Sequence, residues 1–171
     1  MPSGRVSETC LSQWLPSDFS LEGRDFRSAE QYMMFAKAQL FGDNDAASKI
    51  LASRTPFQAQ LLGQRVRDFD QRIWVEHRER IVFEGNFAKF SQDERLGDFL
   101  LSTGSDILAE ASPQDLVWGI GLGVDEPAAA RSVRWTGLNM LGFCLMRVRD
   151  ALREAPDTDS FKSPHPQLAT T

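Results

Sequence analysis

Glu30 and Lys37 lie seven residues apart in the run Ser28-Ala29-Glu30-Gln31-Tyr32-Met33-Met34-Phe35-Ala36-Lys37-Ala38. At helical spacing that is two turns, so a carboxylate and an ammonium share one stripe with Met34 between them. On a solvated helix such a pair is a weak surface contact. Here the neighbouring stripes hold Tyr32, Met33 and Phe35, so the helix is apolar nearly all round and is expected to be buried. A buried acid and a buried amine need a partner or a task.

A second stretch invites the same reading. Glu110-Ala111-Ser112-Pro113-Gln114-Asp115-Leu116-Val117-Trp118-Gly119-Ile120-Gly121-Leu122 holds two acids, a Trp and two glycines in a span too broken for a helix. It reads as a loop forming one wall of a small-molecule pocket, opposite the Glu30 helix. Trp118 is either core or a stacking plate beside exposed backbone. Asp115, two residues after Pro113, is a turn residue or a functional acid. Lys89 lies in Asn86-Phe87-Ala88-Lys89-Phe90, and Trp74 falls on the inner side of a helix by periodicity. Asn139 follows Trp135-Thr136-Gly137 near a helix start, where an anionic group such as a phosphate is favoured. Acids, a lysine and aromatic plates around one pocket suit a nucleotide-like ligand and specify no reaction. No phosphate loop, dinucleotide fingerprint or nucleophile elbow is present, and the Cys and His residues are too scattered for a zinc site. No metal and no cofactor is therefore expected.

The elements that carry these residues are mostly helical. Residues 10–16 read as a strand entry, followed by short strands on either side of the Glu22-Gly23 turn. Ser28 caps a helix over 29–41, Asp43 a second, and Thr55-Pro56 starts a third that stops at Gly63. A longer helix carries Ile73, Trp74, His77 and Ile81 inward and runs to about Phe90, with Gly85 as a possible break. Another spans 92–101. Residues 107–110 read as a short strand, and 124–133 as a surface excursion. Thr136 is expected to cap the last helix, whose apolar stripe is Leu138, Leu141, Leu145, Val148 and Leu152.

The chain has 171 residues, 42% of them hydrophobic and 25% charged, which fits one globular domain with a real core. Its net charge of −5 argues against broad charge-driven nucleic-acid binding but leaves room for a local groove. Two cysteines and the lack of a basic-then-apolar leader predict a reducing, cytoplasmic setting. No apolar run is long enough to cross a membrane, so no membrane association is expected. The oligomeric state is not legible.

Five stretches in order resemble the NADAR (YbiA-like) family. They are residues 28–38, Gly85-Asn86-Phe87-Ala88-Lys89-Phe90, Leu100-Leu101-Ser102-Thr103-Gly104, residues 110–122, and Trp135-Thr136-Gly137-Leu138-Asn139-Met140-Leu141-Gly142. The resemblance covers residues 11–152. It implies an α+β, mainly α-helical fold, a single compact YbiA-like domain with a few short strands over 10–154; the residues on either side predict a flexible 1–9 and a disordered tail at 155–171. It also implies hydrolysis of an N-glycosidic bond between ribose and a nitrogenous base. Two substrate classes go with it. One is ADP-ribose on guanine bases of DNA or RNA, and the other is the ribosylamino-pyrimidine phosphates of riboflavin synthesis. A module that binds ADP-ribose or NAD without cleaving it is a third reading, against which the presence of Glu30 and Lys37 counts.

By position, Glu30, Lys37, Trp74, Asp115, Trp118 and Asn139 match the family's motif residues. Catalysis is expected of Glu30, Lys37 and Asp115, and substrate binding of Trp74, Lys89, Trp118, Gly119, Ile120 and Asn139. Glu30 serves as general base or electrostatic stabiliser on the sugar side. Lys37 either holds charge as an ammonium or, as a neutral amine, captures the ring-opened sugar aldehyde. Asp115 is a second acid or binds ribose hydroxyls; Trp118 and Trp74 stack on a base; Asn139 and Lys89 take polar or phosphate groups. Two departures bear on substrate choice. Ser12-Gln13-Trp14 stands where many relatives carry Ser-Asn-Phe, and Trp118-Gly119-Ile120-Gly121 replaces the Trp-Gly-Asp-Gly of some riboflavin-type members. The second favours the ADP-ribosyl substrate and makes Ile120 the loop residue expected to govern substrate choice.

Overall fold

The computed structural model describes residues 8–154. The tail expected at 155–171 lies outside them, as does most of the flexible segment expected at 1–9. A hairpin opens the domain. Strand β1 (Phe19–Leu21) pairs antiparallel with β2 (Arg24–Phe26), Phe19 opposite Phe26, across a two-residue turn. Glu22 and Gly23 both take positive φ there (51° and 73°), as tight hairpin turns demand.

Helix α1 (Ala29–Leu40) follows, with the Ser28 hydroxyl accepting the Gln31 N–H at 3.1 Å. It is buried at eight of its twelve positions because α2 (Asn44–Leu51), α3 (Pro56–Gly63) and α4 (Gln71–Gln92) all pack on it. The caps expected for α2 and α3 form: Asp43 accepts from Ala46 N–H and Thr55 from Gln58 N–H. Helix α5 (Glu94–Ser102) and α6 (Met140–Glu154) complete the set, with α6 against α4 and α5. The fold is α+β and mainly helical, with one two-stranded sheet among the described residues.

Four local expectations change. Residues Glu8–Leu11 form a 3-10 turn instead of a strand entry, because the Lys89 ammonium draws the carbonyls of Cys10 and Ser12 to one point and curls the segment. Gly85 does not interrupt α4. A Cβ there would run into the ring of Tyr32, so glycine lets α1 and α4 approach. Residues 107–110 form no strand: Leu108 O and Glu110 N–H bond to the Asn139 side chain, and Glu110 O takes Ile120 N–H. Thr136 does not cap α6, which starts four residues later; the N–H groups of Thr136 through Leu141 bond back to carbonyls of residues 116–120 instead. Leu138 is accordingly exposed, and so is Ile73 on α4, while Trp74 beside it is buried. No helix among the described residues is long and apolar enough to cross a membrane.

Candidate active site

A cavity of about 250 Å3 opens between α1, the end of α3 and the loop of residues 110–118. Glu30 lies at its floor. It occupies the first turn of α1, its N–H held by the Gln13 carbonyl at 3.0 Å. The side chain is only 3% exposed, and Oε1 has no hydrogen-bond partner. Burial, reinforced by the nearby Asp115 carboxylate, pushes its pKa up to about 7, with Lys37 opposing the shift. The group is poised to take up and release a proton near neutrality.

Lys37 stands two turns along the same stripe. Its Nζ donates to the Gly63 carbonyl at 2.9 Å and lies 4.3 Å from the centre of the Phe69 ring and 5.7 Å from that of Trp74. Burial lowers its pKa, against the pull of Glu30. The direction is the one that makes a lysine amine available as a nucleophile.

The loop wall is fixed by backbone bonds. Ile120 N–H donates to Glu110 O, and Ile120 O accepts from Thr136 and Gly137. The carbonyls of Leu116, Val117, Trp118 and Gly119 take the N–H groups of Leu138, Met140, Leu141 and Asn139. Asp115 Oδ1 accepts the N–H groups of Val117 and Trp118 at 2.9 and 2.8 Å, closing a turn that aims the acid at the cavity. Trp118 is half-buried beside it, with the Arg78 guanidinium 5.9 Å from its ring centre.

Of the nine residues singled out from sequence, four line the cavity: Glu30, Lys37, Asp115 and Trp118. Trp74 does not. It stands behind Lys37 and faces its ammonium, where it cannot stack on a ligand. Lys89 is 1% exposed, with Nζ committed to Cys10 O and Ser12 O at 2.7 and 2.8 Å. It anchors the strip that carries Gln13 and Trp14 and is not placed to receive a phosphate. Asn139 is fully buried; its Oδ1 accepts Glu110 N–H and its Nδ2 donates to Leu108 O. It pins the loop wall to the start of α6. Gly119 contributes backbone to the same lattice. Ile120, expected to govern substrate choice, is 1% exposed and does not line the cavity. Both its backbone groups bridge loop strands, which commits its side chain to the interior.

Sequence reasoning passed over several lining residues. Glu110 is half-buried on the cavity wall, its pKa raised by burial and by Asp115. It lies in the second stretch singled out, with no spacing to mark it. Trp14, Gln60 and Gln64 also line the cavity. Trp14 is visible only as a departure from the family pattern, and the two glutamines look like ordinary polar positions of α3 and its C-cap. Among the described residues no group of three His, Cys, Asp or Glu is placed to hold a metal ion. Both cysteines are free and buried.

The chain matches the NADAR domain over residues 3–153. It is 44% identical to a protein named N-glycosidase from Acanthamoeba polyphaga mimivirus, over 82% of this chain and 85% of that one. It is 32% identical to a second protein so named from Nostoc punctiforme, over 84% and 85%. A riboflavin biosynthesis protein of Vibrio vulnificus is 30% identical over 84% of this chain but only 35% of its own length. The NMR structure of YbiA from E. coli shares the fold, with a TM-score of 0.70 over 95% of this chain and 88% of that one, at 23% identity. The relatives support N-glycosidase activity in its general form. Their agreement over most of the chain, with the shared fold, leads to one conclusion: the protein belongs to the NADAR domain family.

Proposed function

We propose that the protein hydrolyses the N-glycosidic bond joining ADP-ribose to guanine bases of nucleic acid. One observation carries the chemistry: Glu30, its Oε1 unpartnered, faces the cavity with Asp115 and Lys37 beside it. Cleaving a ribosyl C–N bond builds positive charge on the anomeric carbon. Ionised Glu30 takes a proton from the attacking water and hands it on to the leaving nitrogen, and Asp115 stabilises the sugar cation or holds its hydroxyls. Trp118 offers a plate for the leaving base.

Two routes use Lys37 and differ in one observable. As an ammonium it polarises the sugar. As an amine it attacks the anomeric carbon, the base nitrogen leaves with a proton, and the sugar ring opens to give a Lys37 C=N bond that water later cleaves to the free aldehyde and amine. Borohydride added during turnover reduces that bond and tags Lys37; an untagged Lys37 excludes the second route.

Charge favours the ADP-ribosyl substrate. The cavity is lined by three carboxylates (Glu30, Glu110, Asp115) and one cation, Lys37. A ribose 5′-phosphate monoester brings nearly two negative charges beside those acids. The phosphate next to the ribose in an ADP-ribosyl group is joined by an anhydride to a second phosphate and brings one, the other charge lying a phosphate further from the acids. The 30% identity to a protein named for riboflavin biosynthesis favours the second reading, a ribosylamino-pyrimidine phosphate. The two separate by incubating the protein with an ADP-ribosylated guanine oligonucleotide, with the ribosylamino-pyrimidine phosphate and with free ADP-ribose, and reading products by mass spectrometry. Intact guanine oligonucleotide and free ADP-ribose are expected. Release of ribose phosphate alone would move the assignment to the second substrate, and binding without turnover to a recognition module.

A further inference from the structure

The cavity, at about 250 Å3, is below the ~300–1,000 Å3 of pockets that enclose a drug-sized ligand. An ADP-ribosyl group on a base exceeds it, so part of the substrate must lie beyond the mouth. The mouth is not featureless. Trp14 lines it and is 42% exposed; Phe57 on α3 is 53% exposed, and the two ring centres are 6.4 Å apart at 49°. The pair sets two adjoining aromatic faces as a ledge at the rim of the cavity, where a planar group of a ligand can stack.

Helix α3 arranges the rest of that ledge. Phe57 and Gln60 fall at i and i+3 on α3, Gln64 at i+7 is its C-cap residue, and both glutamines line the cavity. Each amide donates and accepts on one edge, the pattern that pairs with the N6 and N7 edge of adenine. The helix is tied to the chemistry. A Cβ at Gly63 would collide with Met34, so α3 sits hard on α1, and the Gly63 carbonyl takes the Lys37 ammonium. A ligand on the ledge is therefore held in fixed register with Glu30 and Lys37.

We propose that Trp14, Phe57, Gln60 and Gln64 form an adenine subsite. The adenine of the ADP-ribosyl group stacks on the aromatic pair and meets the amides, while its far ribose occupies the cavity. The proposal rests on the ADP-ribosyl reading above. A ribosylamino-pyrimidine phosphate carries no second base and would gain nothing from the ledge.

Calorimetry with ADP-ribose and ribose 5-phosphate tests it on the wild type, Trp14→Ala, Trp14→Phe and Phe57→Ala. Stacking of a base on an aromatic side chain corresponds to about a tenfold to hundredfold change in affinity. Trp14→Ala should weaken ADP-ribose binding by about tenfold or more and leave ribose 5-phosphate unchanged. Phe57→Ala, at a more exposed position, should act in the same direction, and Trp14→Phe should recover most of the loss. The KM for ADP-ribosylated guanosine and for the ADP-ribosylated oligonucleotide should rise together. Failure of the wild type to bind ADP-ribose, or unchanged ADP-ribose affinity in both alanine variants, would overturn the subsite. A KM rise confined to the oligonucleotide would also overturn it and assign the ledge to a base of the strand. Wild-type turnover of ADP-ribosylated guanine with no effect of either variant would sink the subsite alone and leave the proposed reaction standing.

Discussion

The two walls of the cavity are built by opposite means. The helix wall, α1, rests on local rules: a Ser28 cap, apolar neighbours and a seven-residue spacing between Glu30 and Lys37. The loop wall of residues 110–118 has no regular structure and is held by backbone bonds to residues 136–141. The difference extends to polar groups. On the loop wall Asp115 Oδ1 takes two N–H groups and Asn139 is bonded at both ends. On the helix wall Glu30 Oε1 is left without a partner in a buried site, at a cost in stability. Glu30 Oε1 is thus left free to meet a ligand, while Asp115 enters the cavity already fixed in a turn and Lys37 is tied to the Gly63 carbonyl.

Lys37→Met gives the largest expected effect short of Glu30 itself. On either route it should lower turnover by about a hundredfold or more, the scale of a positioned charge or acid–base group, while the melting temperature stays near wild type. Single-turnover rates beside a thermal melt check this, and a wild-type rate would remove Lys37 from the chemistry.

Asn139→Ala should break the loop wall instead. It strips partners from Glu110 N–H and Leu108 O, and an unsatisfied buried group costs ~1–3 kcal/mol. Chemical denaturation should report that loss, with Glu30's pH dependence intact in whatever activity survives. A pH profile displaced from wild type would mean that Asn139 tunes the acid directly.

Trp118→Ala should do least to the fold, since its side chain is only half-buried. Substrate binding should weaken about tenfold by loss of a stacking plate. A collapse of the melting temperature with unchanged affinity would make Trp118 core instead.

Much of the helix wall was legible in the sequence because its determinants are neighbours: Ser28, Asp43 and Thr55 each cap within three residues. The near-complete burial of α1 followed from its composition. What could not be read were partnerships across distance. Lys89 finds its carbonyls 77 and 79 residues away, which turns an apparent ligand contact into an anchor. Asn139 bonds across 29 residues to Glu110, and Ile120 points inward only because the chain from Thr136 to Asn139 folds back over the loop. Motif spacing placed these residues at the site; it could not distinguish the group that meets ligand from the one that supports it.

Glu30→Gln tests the central claim most directly, by turnover against pH and thermal melts on one preparation. As general base Glu30 must be ionised, so wild-type turnover should climb as pH rises through about 7. Stability should run the other way. A carboxyl raised from 4.5 to about 7 by folding contributes its full stability below pH 4.5 and loses it as pH rises through 7, on the order of 3 kcal/mol at ~1.4 kcal/mol per unit. The variant should therefore lose at least about a hundredfold in rate, lack the rise near pH 7, and melt higher than wild type at pH 8. Wild-type turnover in Glu30→Gln, with the same pH profile, would contradict the account.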